Sequence, residues 1–132
     1  MEQIVYISTS REDIGPLLLD SILASARRNN ARDGLTGLLI VGNRRFLQVL
    51  EGPSEACLSC YDRIRADPRH FAVVQLSRRT ISERSFGDWS MGFEQGGDEP
   101  LSEVVDRLTR HVGDPYLQAH LRSFADLHSK AA

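Results

Sequence analysis

A glutamine interrupts an apolar run, Phe46-Leu47-Gln48-Val49-Leu50, that leads directly into Glu51-Gly52-Pro53. A side-chain amide buried in such a strand must find partners or cost about 1–3 kcal/mol. It also carries donors and an acceptor that trade places when the amide rotates. Such a residue is either structural mortar or a switch. Other polar residues are set into apolar segments in the same way. Tyr6 is centred in the first β-rich stretch with Ser8 on its face, and Asn29 and Asn30, with Ala31-Arg32 after them, close a helical pattern. Asp67-Pro68-Arg69-His70 closes a second helical pattern, and Trp89-Ser90-Met91 lies on an alternating stretch. Each has a plain structural use: Tyr6 as an interface aromatic, Asn30 as a helix C-cap, Asp67 and Arg69 as an exposed ion pair. Together they describe a pocket between two helices, floored by strands that carry a phenol and an amide.

Other chemistries find little support. Cys57 and Cys60 form a C-x-x-C, but within a helical pattern and with no second pair to complete four zinc ligands, so buried helix-face thiols are expected. Neither G-x-G-x-x-G nor G-x-x-x-x-G-K-[ST] occurs, so no phosphate-cradling glycine loop is present. There is no G-x-S-x-G, and His70, His111, His120 and His128 form neither a triad nor a metal pattern.

The elements that must position these residues follow from periodicity. Gln3 to Thr9 alternates, with Ile4, Tyr6 and Ser8 on one face and Val5 and Ile7 on the other. Ser10 to Asp13 supplies helix-start chemistry, and Ile14, Leu17, Leu18, Ile22 and Ala26 mark one stripe of a helix running to about Asn29. Asp33-Gly34 is a turn. Leu35–Val41 and Arg45–Glu51, separated by Gly42-Asn43, read as a hairpin. A second helix opens at Pro53-Ser54 and ends before Pro68. Ala72–Leu76 reads as a fourth strand, Arg78–Phe86 as a loop, and Trp89, Met91 and Phe93 as a fifth strand. The order β-α-β-β-α-β-β predicts a ferredoxin-like α+β fold with two helices on one face of a mixed sheet.

Beyond a polar linker, Leu101, Val104, Val105, Leu108 and Val112 have helical spacing. After Asp114-Pro115 (N-cap, then proline at the first helical position) so do Leu117, His120, Leu121, Phe124 and Leu127. These two helices must cover the second face of the sheet or pair with another chain, a homo-oligomer being one such arrangement.

The 132 residues suit one domain. A formal net charge of −2 and a pI near 6.1 leave no electrostatic footprint for nucleic acid or an anionic membrane. No apolar run approaches the ~20 residues needed to span a bilayer, and no secretion signal is visible, so a cytoplasmic location is expected.

Several of these segments, in order, resemble the successive motifs of BLUF domains, blue-light sensors that use flavin adenine dinucleotide (FAD). They are Tyr6-Ile7-Ser8, the stretch Ala26-Arg27-Arg28-Asn29-Asn30-Ala31-Arg32-Asp33-Gly34-Leu35-Thr36-Gly37, Phe46-Leu47-Gln48-Val49-Leu50-Glu51-Gly52-Pro53, Asp67-Pro68-Arg69-His70 and Phe86-Gly87-Asp88-Trp89-Ser90-Met91-Gly92-Phe93. The resemblance covers residues 3 to about 93, and the two trailing helices look like those of short, stand-alone members. It implies a photosensor unit over 1–94 and a two-helix extension over 95–132, with no catalytic activity and an unidentified downstream protein as partner. It also implies FAD as cofactor, with FMN and riboflavin as smaller flavins offering the same ring.

By position, the resemblance makes Tyr6 the electron donor to the photoexcited flavin and Gln48 the amide linking the Tyr6 hydroxyl to flavin N5 and C4=O. Asn30 bonds the ring edge at C4=O and N3. Asp67, Arg69 and His70 lie elsewhere around the ring or its ribityl side, Asn29 and Arg32 at its periphery, and Ser8 near the Tyr6 network. Trp89 and Met91 are alternative occupants beside Gln48. Two rivals share the topology: a small flavin-dependent oxidoreductase, and an acylphosphatase-like hydrolase using Arg and Asn.

Overall fold

The computed structural model describes residues 1–87, 91–95, 100–110 and 112–128. Nine elements follow in order: β1 (Glu2–Ser10), α1 (Pro16–Asp33), β2 (Thr36–Gly42), β3 (Arg45–Gly52), α2 (Ser54–Ala66), β4 (His70–Thr80), β5 (Gly92–Gln95), α3 (Leu101–Thr109) and α4 (Pro115–His128). The strands form one sheet in the order β4-β1-β3-β2-β5. The first four pair antiparallel and β5 joins β2 in parallel, so two interlocked β-α-β units build the expected ferredoxin-like α+β fold.

Both faces of the sheet are covered, which is why β2 and β3 read as nearly continuous apolar runs. On one face Ile4, Tyr6, Leu39, Phe46 and Leu50 pack against Leu19 and Leu23 of α1 and Cys57, Cys60 and Tyr61 of α2. On the other, Val5, Leu38, Ile40, Leu47 and Val49 pack against Leu101, Val104 and Val105 of α3 and Leu117, Leu121 and Phe124 of α4. Each such side chain, fully buried, contributes roughly 1.5–3 kcal/mol. The C-terminal helices thus cover the second face. Asp114 caps α4 through the N–H groups of Tyr116 and Leu117 and pairs with Arg79 of β4, tying the helical pair to the sheet.

Several details depart from the sequence expectation. Ser10 does not cap α1: its hydroxyl bonds the backbone of Glu12 in a local turn, and the helix begins at Pro16 after Gly15. It continues four residues past Asn29 to Gly34, whose left-handed conformation (φ 72°) closes it. Asn30 therefore lies inside the last turn and is not its C-cap. Leu17 is exposed rather than part of the buried stripe, which runs through Leu19 and Leu23, and Leu127 of α4 also faces solvent. β4 is twice the expected length because Arg78 and Arg79 keep pairing opposite Glu2 and Gln3 of β1, with an Arg78–Glu2 ion pair at 3.0 Å. It is an edge strand, where polar residues belong, so the end of the apolar run is not the end of the strand.

Between β2 and β3 the backbones approach closely at Gly37, where a Cβ would lie 1.9 Å from the Val49 carbonyl oxygen. The long connection from β4 to β5 is pinned by Glu51 at the end of β3. This carboxylate is fully buried and accepts hydrogen bonds from Gln3 Nε2 (3.0 Å) and from the backbone N–H groups of Ser85 (2.9 Å) and Phe86 (2.8 Å). Arg84 fastens the same loop to the Gly34 carbonyl (2.9 Å) and the Thr36 hydroxyl (3.0 Å). Among the described residues no helix is long and apolar enough to cross a membrane.

Candidate functional site

Strands β1, β2 and β3 floor a cleft walled by α1 and by α2 with the turn that follows it. The floor presents Tyr6, Ser8, Leu39, Phe46 and Gln48. From α1 come Ile22, Ser25, Ala26, Asn29 and Asn30, and from α2 and its turn Cys60, Arg63, Ile64, Asp67, Arg69 and His70. These sets have the spacings i, i+3, i+4, i+7 that define one face of a helix. The cleft holds about 180 Å³.

Tyr6 and Gln48 stand directly opposite each other in the antiparallel β1–β3 pair, so their side chains leave the same face about 5 Å apart. Both are buried, as is Asn30 beside them, at 1 % exposure. Gln48 Nε2 donates to the sulfur of Met91 at 3.6 Å, and thioether sulfur is a weak acceptor. Met91 is buried immediately before β5, and its backbone carbonyl accepts from Arg27 Nε of α1 at 3.0 Å. Among the described residues, Met91 thus accepts from the Gln48 amide. Trp89 lies outside the described residues.

Burial drives the Tyr6 phenol well above its ordinary pKa, with Cys60, Tyr61 and Asp67 adding to the effect. Its ring packs against Tyr61 with centroids 5.4 Å apart. The phenol therefore keeps its proton over the whole neutral range. At the rim, Asp67 accepts from the Arg69 backbone N–H (2.9 Å) and side chain, whose hydrogen bonds hold its carboxyl below the usual carboxylate range. His70 Nδ1 lies 2.9 Å from the Ser8 hydroxyl, and its Nε2 bonds the Ile64 carbonyl, so the ring ties β1 to the end of α2.

The structure thus brings Tyr6, Ser8, Asn29, Asn30, Gln48, Asp67, Arg69 and His70 to one cleft, with Met91 beside Gln48. It does not bring Arg32, which is exposed and doubly bonded to Asp33. Cys60 and Arg63 line the cleft although the sequence reading gave them no part in it. Their signal was present as the helical spacing Cys60, Arg63, Ile64, Asp67. Cys57 and Cys60 are free and buried, and burial pushes the Cys57 thiol up to about 11.

The arrangement suits a flat heteroaromatic ligand. Ile22, Ala26, Leu39, Phe46 and Ile64 offer apolar walls, while the Tyr6 hydroxyl and the Asn30 and Gln48 amides offer polar groups for one edge. A flavin ring has both characters. Residues 1–92 match the family model described as BLUF, sensors of blue light using FAD. The chain belongs to the BLUF family.

Among its relatives, this BLUF chain is 38 % identical over 114 residues to the photoactivated adenylate cyclase subunit beta of Euglena longa, covering 81 % of this chain and 13 % of that protein. It is 33 % identical over 116 residues to the blue light- and temperature-regulated antirepressor BluF of Escherichia coli, covering 88 % of this chain and 26 % of that protein. The chain thus spans only a fraction of these relatives. Among solved structures, it superposes on the dark state of BlrB, a BLUF protein, with a TM-score of 0.74 at 29 % identity, covering 96 % of both chains. Klebsiella pneumoniae BlrP1 gives a TM-score of 0.79 at 30 % identity, covering 95 % of this chain and 32 % of that one. The family is described as sensors of blue light using FAD, and neither the hydrolase nor the oxidoreductase reading is favoured.

Proposed function

We propose that light drives an electron and a proton out of Tyr6, that Gln48 answers by rearranging its amide, and that the change leaves the cleft through Met91 and β5. The observation that carries this reading is the direct cross-strand pairing of Tyr6 with Gln48 in one buried cleft, with Gln48 bonded to Met91. FAD, when bound, supplies a ring that absorbs blue light and in its excited state takes an electron.

What the chain must do follows from its own groups. Asn30, fixed in the last turn of α1, holds the polar edge of the ring, and Asp67, Arg69 and His70 line another side of it, with Ser8 held by His70. Asn29 lies on the same wall. Tyr6, kept protonated by burial, becomes strongly acidic once it loses an electron, so its proton must pass to an acceptor at hand. The Gln48 amide would relay it toward the ring that has taken the electron, and both would return to Tyr6 when the pair recombines. By rotating, by tautomerising or by both, it exchanges the donor it directs at Met91 for a different bond, and the Met91 sulfur loses its partner.

Residues 1–94 act in this reading as the sensing unit, and 95–132 as the extension that reports it. The α3–α4 pair lies on the face of the sheet opposite the cleft and is fastened to it by Arg79 and Asp114. Altered packing there would be read by a partner protein, with the chain itself serving as sensor and not as catalyst. Rearranging one weak bond shifts a two-state equilibrium only by the difference in its strength between the states.

The test is optical. The purified chain should be yellow and show a small, reversible red shift under blue light, and both Tyr6→Phe and Gln48→Leu should abolish it. A yellow wild type with no reversible shift, or normal cycling by both variants, would sink the assignment.

A further inference from the structure

Met91 is held from two sides. From β3 the Gln48 amide reaches its sulfur at 3.6 Å, and from α1 the Arg27 guanidinium donates from Nε to its backbone carbonyl at 3.0 Å. The two grips differ in strength. Thioether sulfur is a weak acceptor, whereas a hydrogen bond from an ionised donor is roughly twice as strong as one between neutral groups. The grip that a turn of the Gln48 amide would release is therefore the weaker one.

The segment that the stronger grip holds has little strand pairing of its own. Met91 stands one residue ahead of the first β2–β5 pair, Leu38 with Gly92. β5 has four residues and lies at the edge of the sheet, paired in parallel with β2, and parallel pairing is slightly weaker per residue than antiparallel. Arg27, by contrast, is rooted in the interior of an 18-residue helix, beside Ala26 and one turn before Asn30, both of which line the cleft. The helix that walls the cleft thus also reaches the backbone just ahead of β5.

Building on the reading of Met91 as the route out of the cleft, we propose that Arg27 is a positioning residue for that route. Its guanidinium holds the Met91 backbone so that the sulfur stays within reach of the Gln48 amide. When the amide lets go, the same bond limits how far the residues ahead of β5 can move, and it ties that movement to α1.

The flavin-loaded full chain would be followed by hydrogen exchange, read by mass spectrometry over residues 91–95, in wild type, Arg27→Met and Arg27→Gln. Position 27 is exposed on the helix, so both variants should fold. Methionine removes the donor while keeping a long side chain, whereas glutamine places a neutral N–H donor as far along the side chain as arginine Nε. In the dark, exchange over 91–95 should rise about tenfold in Arg27→Met, the scale of one charge-assisted hydrogen bond, with β1 and β3 unchanged. Arg27→Gln should recover part of that protection. Exchange at the wild-type rate in Arg27→Met would overturn the proposal, and so would a rise spread equally over β1 and β3, the mark of a merely structural role. A rise that Arg27→Gln does not reduce would also overturn it, because the hydrogen bond would not be its cause. Dark recovery after a blue-light pulse separates this proposal from the reading of Met91: Arg27→Met should change its rate in the same direction as Met91→Leu. A local rise in exchange with unchanged recovery would uphold the hold of Arg27 on Met91 while removing Met91 from the route.

Discussion

Gln48 and Glu51 stand three residues apart on β3 and face opposite sides of the sheet. Both are buried and polar, and they are bonded in opposite ways. Glu51 accepts three hydrogen bonds of 2.8–3.0 Å, one from Gln3 and two from the backbone of the loop after β4. Gln48 donates to a thioether at 3.6 Å. A buried carboxylate so fully satisfied has no second arrangement of comparable energy, whereas an amide facing sulfur gives up little by turning. One strand therefore holds both an anchor and a movable group. The anchor holds the loop that leads to Met91 at the backbone of Ser85 and Phe86.

That contrast is broken most easily at the anchor. Glu51→Ala leaves one side-chain and two backbone donors without their acceptor in a site closed to water. At roughly 1–3 kcal/mol for each such group, the expected loss is about 3–5 kcal/mol of stability. Gln48→Leu, by contrast, replaces a weakly bonded amide with an apolar side chain and should move stability by less than about 1 kcal/mol. Urea unfolding measures both. A Glu51→Ala loss below that of Gln48→Leu would remove the distinction between anchor and movable group.

This division was only half legible in the sequence. The order of elements along the chain, the two helix pairs and the outlier status of Gln48 follow from periodicity and from an amide in an apolar run. Glu51 gave no such signal. At the end of a strand before Gly52-Pro53 it resembles any solvent-facing carboxylate, and its donors come from residues 48 positions earlier and more than 30 positions later. The exposed Leu17 and Leu127 show the same limit from the other side, since a helical stripe names a face but not how far its partner extends. Arg78 and Arg79 hid the second half of β4 because an edge strand is held by backbone pairing that side-chain polarity does not report. Arg32 sits within the right motif yet points to Asp33, while Arg63, from α2, reaches the cleft.

The cleft side imposes a protonation condition of its own, and alkaline pH sharpens the comparison at intermediate size. Tyr6 has its pKa raised well above 10 by burial, and Cys57 is raised from 9.0 to about 11. Above the unfolded values of these groups the unfolded chain has lost protons that the folded chain retains, so stability must fall as pH rises. Their contribution is complete below about pH 9 and declines above it, at up to about 1.4 kcal/mol per pH unit for each proton held. Urea midpoints from pH 8 to 11 should therefore fall, and less steeply in Cys57→Ala. A midpoint unchanged across that range would contradict the protonated, buried Tyr6 on which the proposed relay depends.

The smallest effect expected is the most specific to the movable group. Met91→Leu keeps side-chain volume nearly constant, a change that ordinarily costs less than about 1.5 kcal/mol. The packing against β2 and the carbonyl bond from Arg27 are unaffected in kind, since neither uses the sulfur. What disappears is the acceptor for Gln48 Nε2. The amide then has less to hold it in its resting orientation, so the balance between its two arrangements moves while the fold does not. With flavin bound, recovery in the dark after a blue-light pulse should change in rate by a few-fold, corresponding to the ~0.5–1 kcal/mol of one weak hydrogen bond. Recovery at the wild-type rate, with the urea midpoint also unchanged, would mean that Met91 only fills space beside Gln48 and that the signal leaves the cleft by another route.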